Sequence, residues 1–331
     1  MEGSITIVLD DREVLSGVCG ANDGNLKVLE GSLRGRINTR GNEIRFEGVD
    51  ADGVKRFKAM IDCLITAVEE GESPSPEYVE ALAGIRGFRG NEDAGKVPAE
   101  NSPTDTMRAA LIHIPHGFNR IFPRSRNQAS YILGMRARDI CFCIGPAGTG
   151  KTYLAIAEAL NMVLSKKARK LVLTRPVVEA GESLGFLPGD LTQKINPYLK
   201  PLYDAMEALV PFELIRRMEE DHVIEIAPLA YMRGRSFNNC VVILDEAQNT
   251  TKEQMKMFLT RIGAGARAVI TGDATQIDLP KRLDSGLLHA VSILSGIEGL
   301  HFAYLNTADV IRNPLIKKII QAYDDNDRER I

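Results

Sequence analysis

The stretch that most restricts this chain runs from Asp139 to Thr152, DICFCIGPAGTGKT. An apolar run ends in Gly145, Pro146, Ala147, Gly148, Thr149, Gly150, Lys151 and Thr152, and a helical pattern, KTYLAIAEALNMVLS, follows at once. This fits G-x-x-x-x-G-K-[ST] throughout, in the strand–loop–helix context that the motif needs. Glycines let the backbone wrap a phosphate so that successive N–H groups point inward. The start of the following helix adds partial positive charge. Lys151 is expected to reach the β- and γ-phosphates and Thr152 to bind a magnesium ion.

From about residue 107 onward, apolar runs alternate with helical patterns. KLVLTR, HVIEIAPL, CVVILDEAQ and AVITGD read as further strands. Continuous apolar strands between helices predict a parallel sheet covered on both faces. In such a sheet ligands collect at the carboxyl ends of the strands. Asp245 ends one strand and is expected to hold magnesium. Its neighbour Glu246 is placed to orient or deprotonate a water, which favours hydrolysis over simple phosphate transfer. Gln276, in TGDATQIDLP, is expected to sense the γ-phosphate or that water. Gln248 is expected to link this state to a moving element. Together these residues predict ATP and Mg2+ as ligands.

The amino-terminal part differs. Residues 1–71 read as a small α/β unit: a strand ITIVLD, a glycine-rich turn near Gly17–Gly20 with a short helix, a hairpin RINTRGNEIRFEG and a long helix from about Asp52 to Gly71. Residues 72–106 hold four prolines among many Gly, Ser and acidic residues and read as a linker, with a helical turn or two in PEYVEALAG. Residues 107–331 form the nucleotide domain.

Net charge is −3, so no global basic field points to nucleic acid. No apolar run approaches the roughly 18 residues needed to span a bilayer, so no membrane partner is expected. The first residues lack a signal-peptide pattern, and a cytoplasmic protein is expected. The five cysteines, 19, 63, 141, 143 and 240, have no C-x-x-C pair and predict buried thiols rather than disulfides or a zinc site. The five histidines carry no ligand spacing and are assigned no chemistry.

DEAQ followed by GDATQ resembles the superfamily 1 helicases. A closer resemblance covers about residues 108–324. GPAGTGKTYLA, LTRPVVEAGESLGFLPGDL, KINPYLKPLYDAM, IEIAPLAYMRGRSF, VVILDEAQNTT, MFLTRIG, TGDATQIDLP and DVIRNPLIKKIIQAYD look like the PhoH-like ATPases. The resemblance implies a P-loop NTPase with a RecA/helicase-like parallel sheet. It also implies that the leading α/β unit is KH-like, carried by GNLKVLEGSLRGRINTRGNEIRFEG. Gln128, upstream of the phosphate loop, is implied to bond the adenine edge. Arg312 is retained where the family usually has Arg-His-Pro, but Asn313 stands in the histidine's place.

Other residues have two readings. Arg175 follows a strand where helicases carry a strand-contacting motif, and it is expected to touch either a nucleic-acid phosphate or the acid pair. Arg233 and Arg235 stand two apart before the acid strand, placed to clamp phosphate. Tyr198, Tyr203 and Phe212, near Lys194 and Lys200, suit core packing or base stacking.

About 85 residues follow the acid strand, too few for a second nucleotide domain. The arginine that stabilises transition-state charge must then come from this chain or from a neighbouring copy, as Arg312, Arg233 or Arg235. A neighbour's arginine predicts a ring, and the resemblance implies a hexamer. The expected activity is magnesium-dependent ATP hydrolysis coupled to single-stranded RNA, with Gly17–Gly20 as a GxxG-type backbone clamp. The alternative is an ATP-gated adaptor that recruits an endoribonuclease or a ribosome-associated partner without unwinding. A small-molecule kinase is disfavoured by the water-handling pair Glu246 and Gln276.

Overall fold

A computed structural model describes residues 4–69, 74, 76–83, 106–107, 109–115, 119–176, 191–280 and 284–310. The chain divides into two compact units, Met1–Leu111 with Phe122–Ala129, and Ile112–Ile121 with Ser130–Ile331.

In the first unit the order is β1 (Ser4–Val8), α1 (Arg12–Cys19), α2 (Gly24–Leu33), β2 (Arg36–Arg40), β3 (Glu43–Glu47), α3 (Ala51–Glu69) and α4 (Pro76–Ala83). The strands form an antiparallel sheet in the order β1-β3-β2. This is the small α/β unit expected. Alternation in β3 puts Ile44 and Phe46 on the buried face, and Phe46 stacks on Phe57 of α3 with ring centroids 4.5 Å apart. Gly41, at φ +64°, makes the hairpin turn.

The stretch Gly17–Gly20 does not form the glycine-rich turn expected of it. Asp11 caps α1 by accepting from Glu13 N–H (2.7 Å) and Val14 N–H (3.3 Å). Helix α1 then runs through Gly17, so the stretch 17–20 is a helix end rather than an open glycine turn. A Cβ on Gly17 would lie 2.7 Å from Val68 Cγ2, so this glycine serves close helix packing against α3. Gly20, at φ +71°, ends the helix. Within the stretch expected as a linker, α4 is a helix of eight residues packed against α2. Residues 84–105 of that stretch lie outside the described residues.

The second unit begins with a short hairpin, β4 (Ile112–Ile114) with β5 (Asn119–Ile121). After α5 (Arg126–Ala137) come β6 (Ile140–Ile144), α6 (Lys151–Leu164), β7 (Lys170–Arg175), α7 (Leu191–Glu207), α8 (Phe212–Glu220) and β8 (Ile224–Pro228). The chain continues through β9 (Cys240–Leu244), α9 (Lys252–Leu259), β10 (Arg267–Gly272), α10 (Gly286–Leu294) and β11 (Leu300–Tyr304). Six strands form one parallel sheet in the order β11-β6-β10-β9-β7-β8. Every residue of β9 is buried, as its unbroken apolar run requires.

Strand β11, which the sequence reading did not identify, pairs with β6 on the far side from β10. The chain therefore leaves β6 in one direction for β7 and returns to its other side with β11. This reversal opens a crevice at the carboxyl end of β6, where such sheets bind ligands. Arg136 ties α5 to α6, donating to both carboxylate oxygens of Glu158 at 3.0 and 2.8 Å. No helix among the described residues is long and apolar enough to cross a membrane.

Candidate nucleotide site

Residues Gly145 to Thr152 form the turn from β6 into α6. Gly148 (φ +78°) and Gly150 (φ +84°) take left-handed conformations that L side chains adopt at a cost. Gly145 serves a different need. A Cβ there would lie 2.5 Å from the carbonyl oxygen of Leu305, just beyond β11. Lys151 Nζ folds back over its own loop and donates to the carbonyls of Gly145 (2.7 Å) and Pro146 (2.8 Å). Those carbonyls hold the ammonium where incoming phosphate oxygens would take it over. From behind, Tyr131 OH donates to Lys151 O at 3.2 Å. Burial pushes the Tyr131 hydroxyl well above the usual phenol range, so it stays a donor.

The sheet register assembles the acid side. Leu244 in β9 lies opposite Thr174 in β7 and Ile270 in β10. The next residue on each strand therefore comes level: Arg175, Asp245 and Thr271. Asp245 is 1% exposed. Its Oδ1 accepts from Thr152 Oγ1 and from Thr271 Oγ1, each at 2.6 Å. Its Oδ2 accepts from Arg175 Nε at 2.7 Å and from Arg175 Nη2.

Glu246 has φ +55°, unusual for a residue with a side chain. Such strain clusters where a side chain must be aimed, and this one is half-exposed beside the buried Asp245. Gln248 is buried and binds Glu246 Oε2 through Nε2 at 2.6 Å. The same Nε2 donates to Gln276 O (3.1 Å), and Oε1 accepts from Asp273 N–H (3.0 Å).

These groups face a cavity of about 330 Å³ whose lining includes Lys151, Thr152, Arg175, Asp245, Glu246 and Gln276. Asp273 also lines it. One of its carboxylate oxygens binds Thr275, and the other, Oδ2, is buried with no hydrogen-bond partner among the described residues. The lining combines loop glycines and an ammonium with hydroxyl and carboxylate oxygens. That set fits a polyphosphate with a hard dication: Thr152 and Asp245 offer oxygen ligands of the kind magnesium takes, and Asp273 Oδ2 is an acceptor still unfilled.

The family model described as PhoH-like protein matches residues 120–324. The chain belongs to the PhoH-like family. A PhoH-like protein of Mycobacterium tuberculosis (strain ATCC 25618 / H37Rv) is 46% identical over 311 residues, covering 94% of this chain and 85% of its own. One of Bacillus subtilis (strain 168) is 44% identical over 306 residues and 92% of each chain. Protein PhoH of Escherichia coli (strain K12) is 40% identical over 205 residues, 61% of this chain and 58% of its own. The six-stranded parallel sheet with its phosphate loop is the P-loop ATPase-type fold that the PhoH resemblance implied.

Of the residues expected in a PhoH-like site, Lys151, Thr152, Asp245, Glu246 and Gln276 come together around the cavity. Arg175, given two readings, is bound to the acid pair. Gln128 belongs to the other unit, where it is buried and its Oε1 accepts from Arg124 N–H at 2.7 Å. Arg312 and Asn313 lie outside the described residues, as does the side chain of Lys194.

Arg235 does not stand free to clamp phosphate, as its sequence position suggested. Its guanidinium grips Glu225 through Nη1 (2.5 Å) and Nη2 (2.9 Å) and lies over the Phe237 ring, so it is a packing ion pair rather than a free phosphate clamp. Arg233 is exposed and makes no ion pair among the described residues. Tyr203 donates to Glu219 Oε1 at 2.6 Å, tying α7 to α8, which favours its packing reading. Phe212 is 54% exposed. The five cysteines are free thiols, and burial pushes Cys141 up to about 12.

Sequence reasoning missed the role of Thr271. In the sequence it is one polar residue at the end of the apolar run AVITGD, and the strand order that brings it to Asp245 leaves no local signal.

Proposed function

We propose that this PhoH-family protein hydrolyses the β–γ bond of ATP with magnesium and couples that reaction to single-stranded RNA. The observation that carries the reading is the meeting of the Thr152 and Thr271 hydroxyls on the buried Asp245 carboxylate, beside a Glu246 aimed into the cavity by its backbone and by Gln248.

Backbone N–H groups of the loop bind phosphate oxygens. Lys151 transfers its ammonium from the Gly145 and Pro146 carbonyls to the phosphates. Thr152 and Asp245 would hold the magnesium ion, which when bound neutralises charge on the β- and γ-oxygens. Glu246 orients a water and takes its proton at a carboxylate oxygen. Gln276 lies on the segment that Gln248 ties to Glu246, so a change at the γ-phosphate position reaches that segment directly.

The KH-like unit would guide RNA to the site, and the copies would form a ring, a hexamer, with Arg312 or Arg233 of a neighbour supplying charge to the transition state. Arg233, exposed and without an ion pair among the described residues, supports that role. The test is steady-state ATP turnover with and without single-stranded RNA, with Glu246→Gln as the blank. Strong stimulation, lost in the variant, supports the coupling. A rate that RNA leaves unchanged but that the variant abolishes moves the coupling to a protein partner, of the endoribonuclease or ribosome-associated kind. Turnover that survives in Glu246→Gln overturns the assignment of the base.

A further inference from the structure

Asp245 is the carboxylate that the ATPase reading gives to the metal, yet both its oxygens are engaged. Oδ1 takes two neutral hydroxyls, from Thr152 and Thr271. Oδ2 takes one cation, the guanidinium of Arg175, through Nε and Nη2. The remaining nitrogen, Nη1, donates to the carbonyl of Tyr198 on α7 at 3.3 Å.

The manner of this pairing sets it apart. Arg136 on Glu158 and Arg235 on Glu225 each place two nitrogens on two carboxylate oxygens, the matched fork that guanidinium and carboxylate favour. Neither lines the cavity. On Asp245 both nitrogens converge on one oxygen, and the pair stands in the cavity wall. A second carboxylate, Glu246 Oε1, lies 3.8 Å from the same guanidinium. Arg175 can therefore give up Asp245 without becoming an unpaired charge.

We infer that Arg175 is the resident counter-cation of Asp245 in the nucleotide-free protein. It competes with magnesium for Oδ2, and its release passes the state of Asp245 to helix α7 through the Tyr198 carbonyl. A carboxylate oxygen that serves a guanidinium has less charge to offer a dication, and a dication that takes it loosens the arginine. Arg175 is a positioning residue in this scheme, acting through Asp245. The inference rests on the ATPase reading.

The test is magnesium-dependent binding of a fluorescent ADP to the full chain, with amide exchange over residues 198–207 as a second readout. Wild type is compared with Arg175→Ala and Arg175→Lys. A charge-assisted hydrogen bond contributes about 1.5–3 kcal/mol, so loss of the competitor should lower the half-maximal magnesium concentration by about tenfold or more. Lysine keeps the charge without the fork and should fall between. In wild type, magnesium with ADP should speed exchange over 198–207. In Arg175→Ala that exchange should be fast from the start and unresponsive.

A magnesium requirement unchanged or raised in folded Arg175→Ala overturns the inference. If that variant does not fold, the same result in Arg175→Lys overturns it. A wild type that binds no nucleotide with or without magnesium sinks the ATPase reading as well, and shows it before any variant is made.

Discussion

Gln248 is the most informative residue to change, because it stands behind the cavity wall and not in it. Its amide joins three things: Glu246 Oε2, the Gln276 carbonyl and the Asp273 N–H. Gln248→Leu keeps the side chain's approximate volume and removes all three bonds. Gln276 is exposed, and water can serve its carbonyl. The Asp273 N–H is buried, and a donor left unpaired there costs about 1–3 kcal/mol. Adding the charge-assisted bond to the half-exposed Glu246, the loss is about 3 kcal/mol, which lowers Tm by roughly 5–10 °C for a domain of this size.

Turnover should fall further than stability suggests. A base that loses its orienting partner drifts, and displacement by about 1 Å costs roughly a hundredfold. We expect kcat for ATP to fall about 10- to 100-fold while nucleotide affinity stays within a few-fold. Gln248→Glu separates packing from charge. It keeps an acceptor for Asp273 N–H but sets a carboxylate against Glu246, and two carboxylates that close resist ionising together. This variant should be less stable than wild type, because a buried acid there faces Glu246 and the Gln276 carbonyl, and it should lose turnover as severely. The assays are thermal melts, binding of a fluorescent ADP and steady-state ATP turnover. A Gln248→Leu protein that loses nucleotide affinity with kcat intact would refute the reasoning, since Gln248 would then belong to binding.

Lys151→Ala should abolish nucleotide binding, whereas Glu246→Gln should keep binding and lose turnover by about 10²- to 10⁴-fold, a split read by equilibrium binding beside turnover. Gly145→Ala should cost about 1–3 kcal/mol in urea unfolding, because its Cβ meets the Leu305 backbone, which is itself held by Leu305 N–H on Ile144 O at 2.8 Å. Glu225→Gln should cost about 1–2 kcal/mol at neutral pH after screening of this partly exposed group. The Arg235 hydrogen bond, with help from Lys170, holds the Glu225 carboxyl down at about 2. A depressed carboxyl stabilises the fold above its ordinary range near 4.5 and loses that contribution as pH falls toward 2. The stability gap between wild type and Glu225→Gln should therefore narrow from pH 5 to pH 3, and a gap that stays constant would show that the ion pair is not its source.

The legible parts of the fold were those with local signals. Strands β6, β7, β9 and β10 are unbroken apolar runs, and the phosphate loop declares its own geometry. Strand β11, LHFAY, is a half-buried edge with a histidine inside it and Tyr304 55% exposed, so it lacks the pattern of a central strand. Helix α1 is short and holds Gly17, whose absent side chain serves Val68 across the unit rather than any turn. In the site, the residues that reach strand ends were readable, but their pairing was not. Asp245 meets Arg175 from 70 residues upstream and Thr271 from 26 residues downstream, and those meetings follow from the strand order β10-β9-β7.

That order also explains how one carboxylate can serve two outlets. Asp245, Thr271 and Arg175 leave adjacent, buried, parallel strands, so their backbones are held by the same ladder and move little. What can move lies one bond further out. On one side Glu246 passes through Gln248 to the segment bearing Asp273 and Gln276. On the other, Arg175 passes to the Tyr198 carbonyl and α7. Filling the cavity with phosphate and a dication changes what Glu246 and Arg175 are bound to at the same time, since the two lie 3.8 Å apart and share the Asp245 edge. A partner that responds to nucleotide should therefore feel α7 and the 273–276 segment together. A substitution that cuts one link, at Gln248 or at Arg175, should leave the response at the other intact.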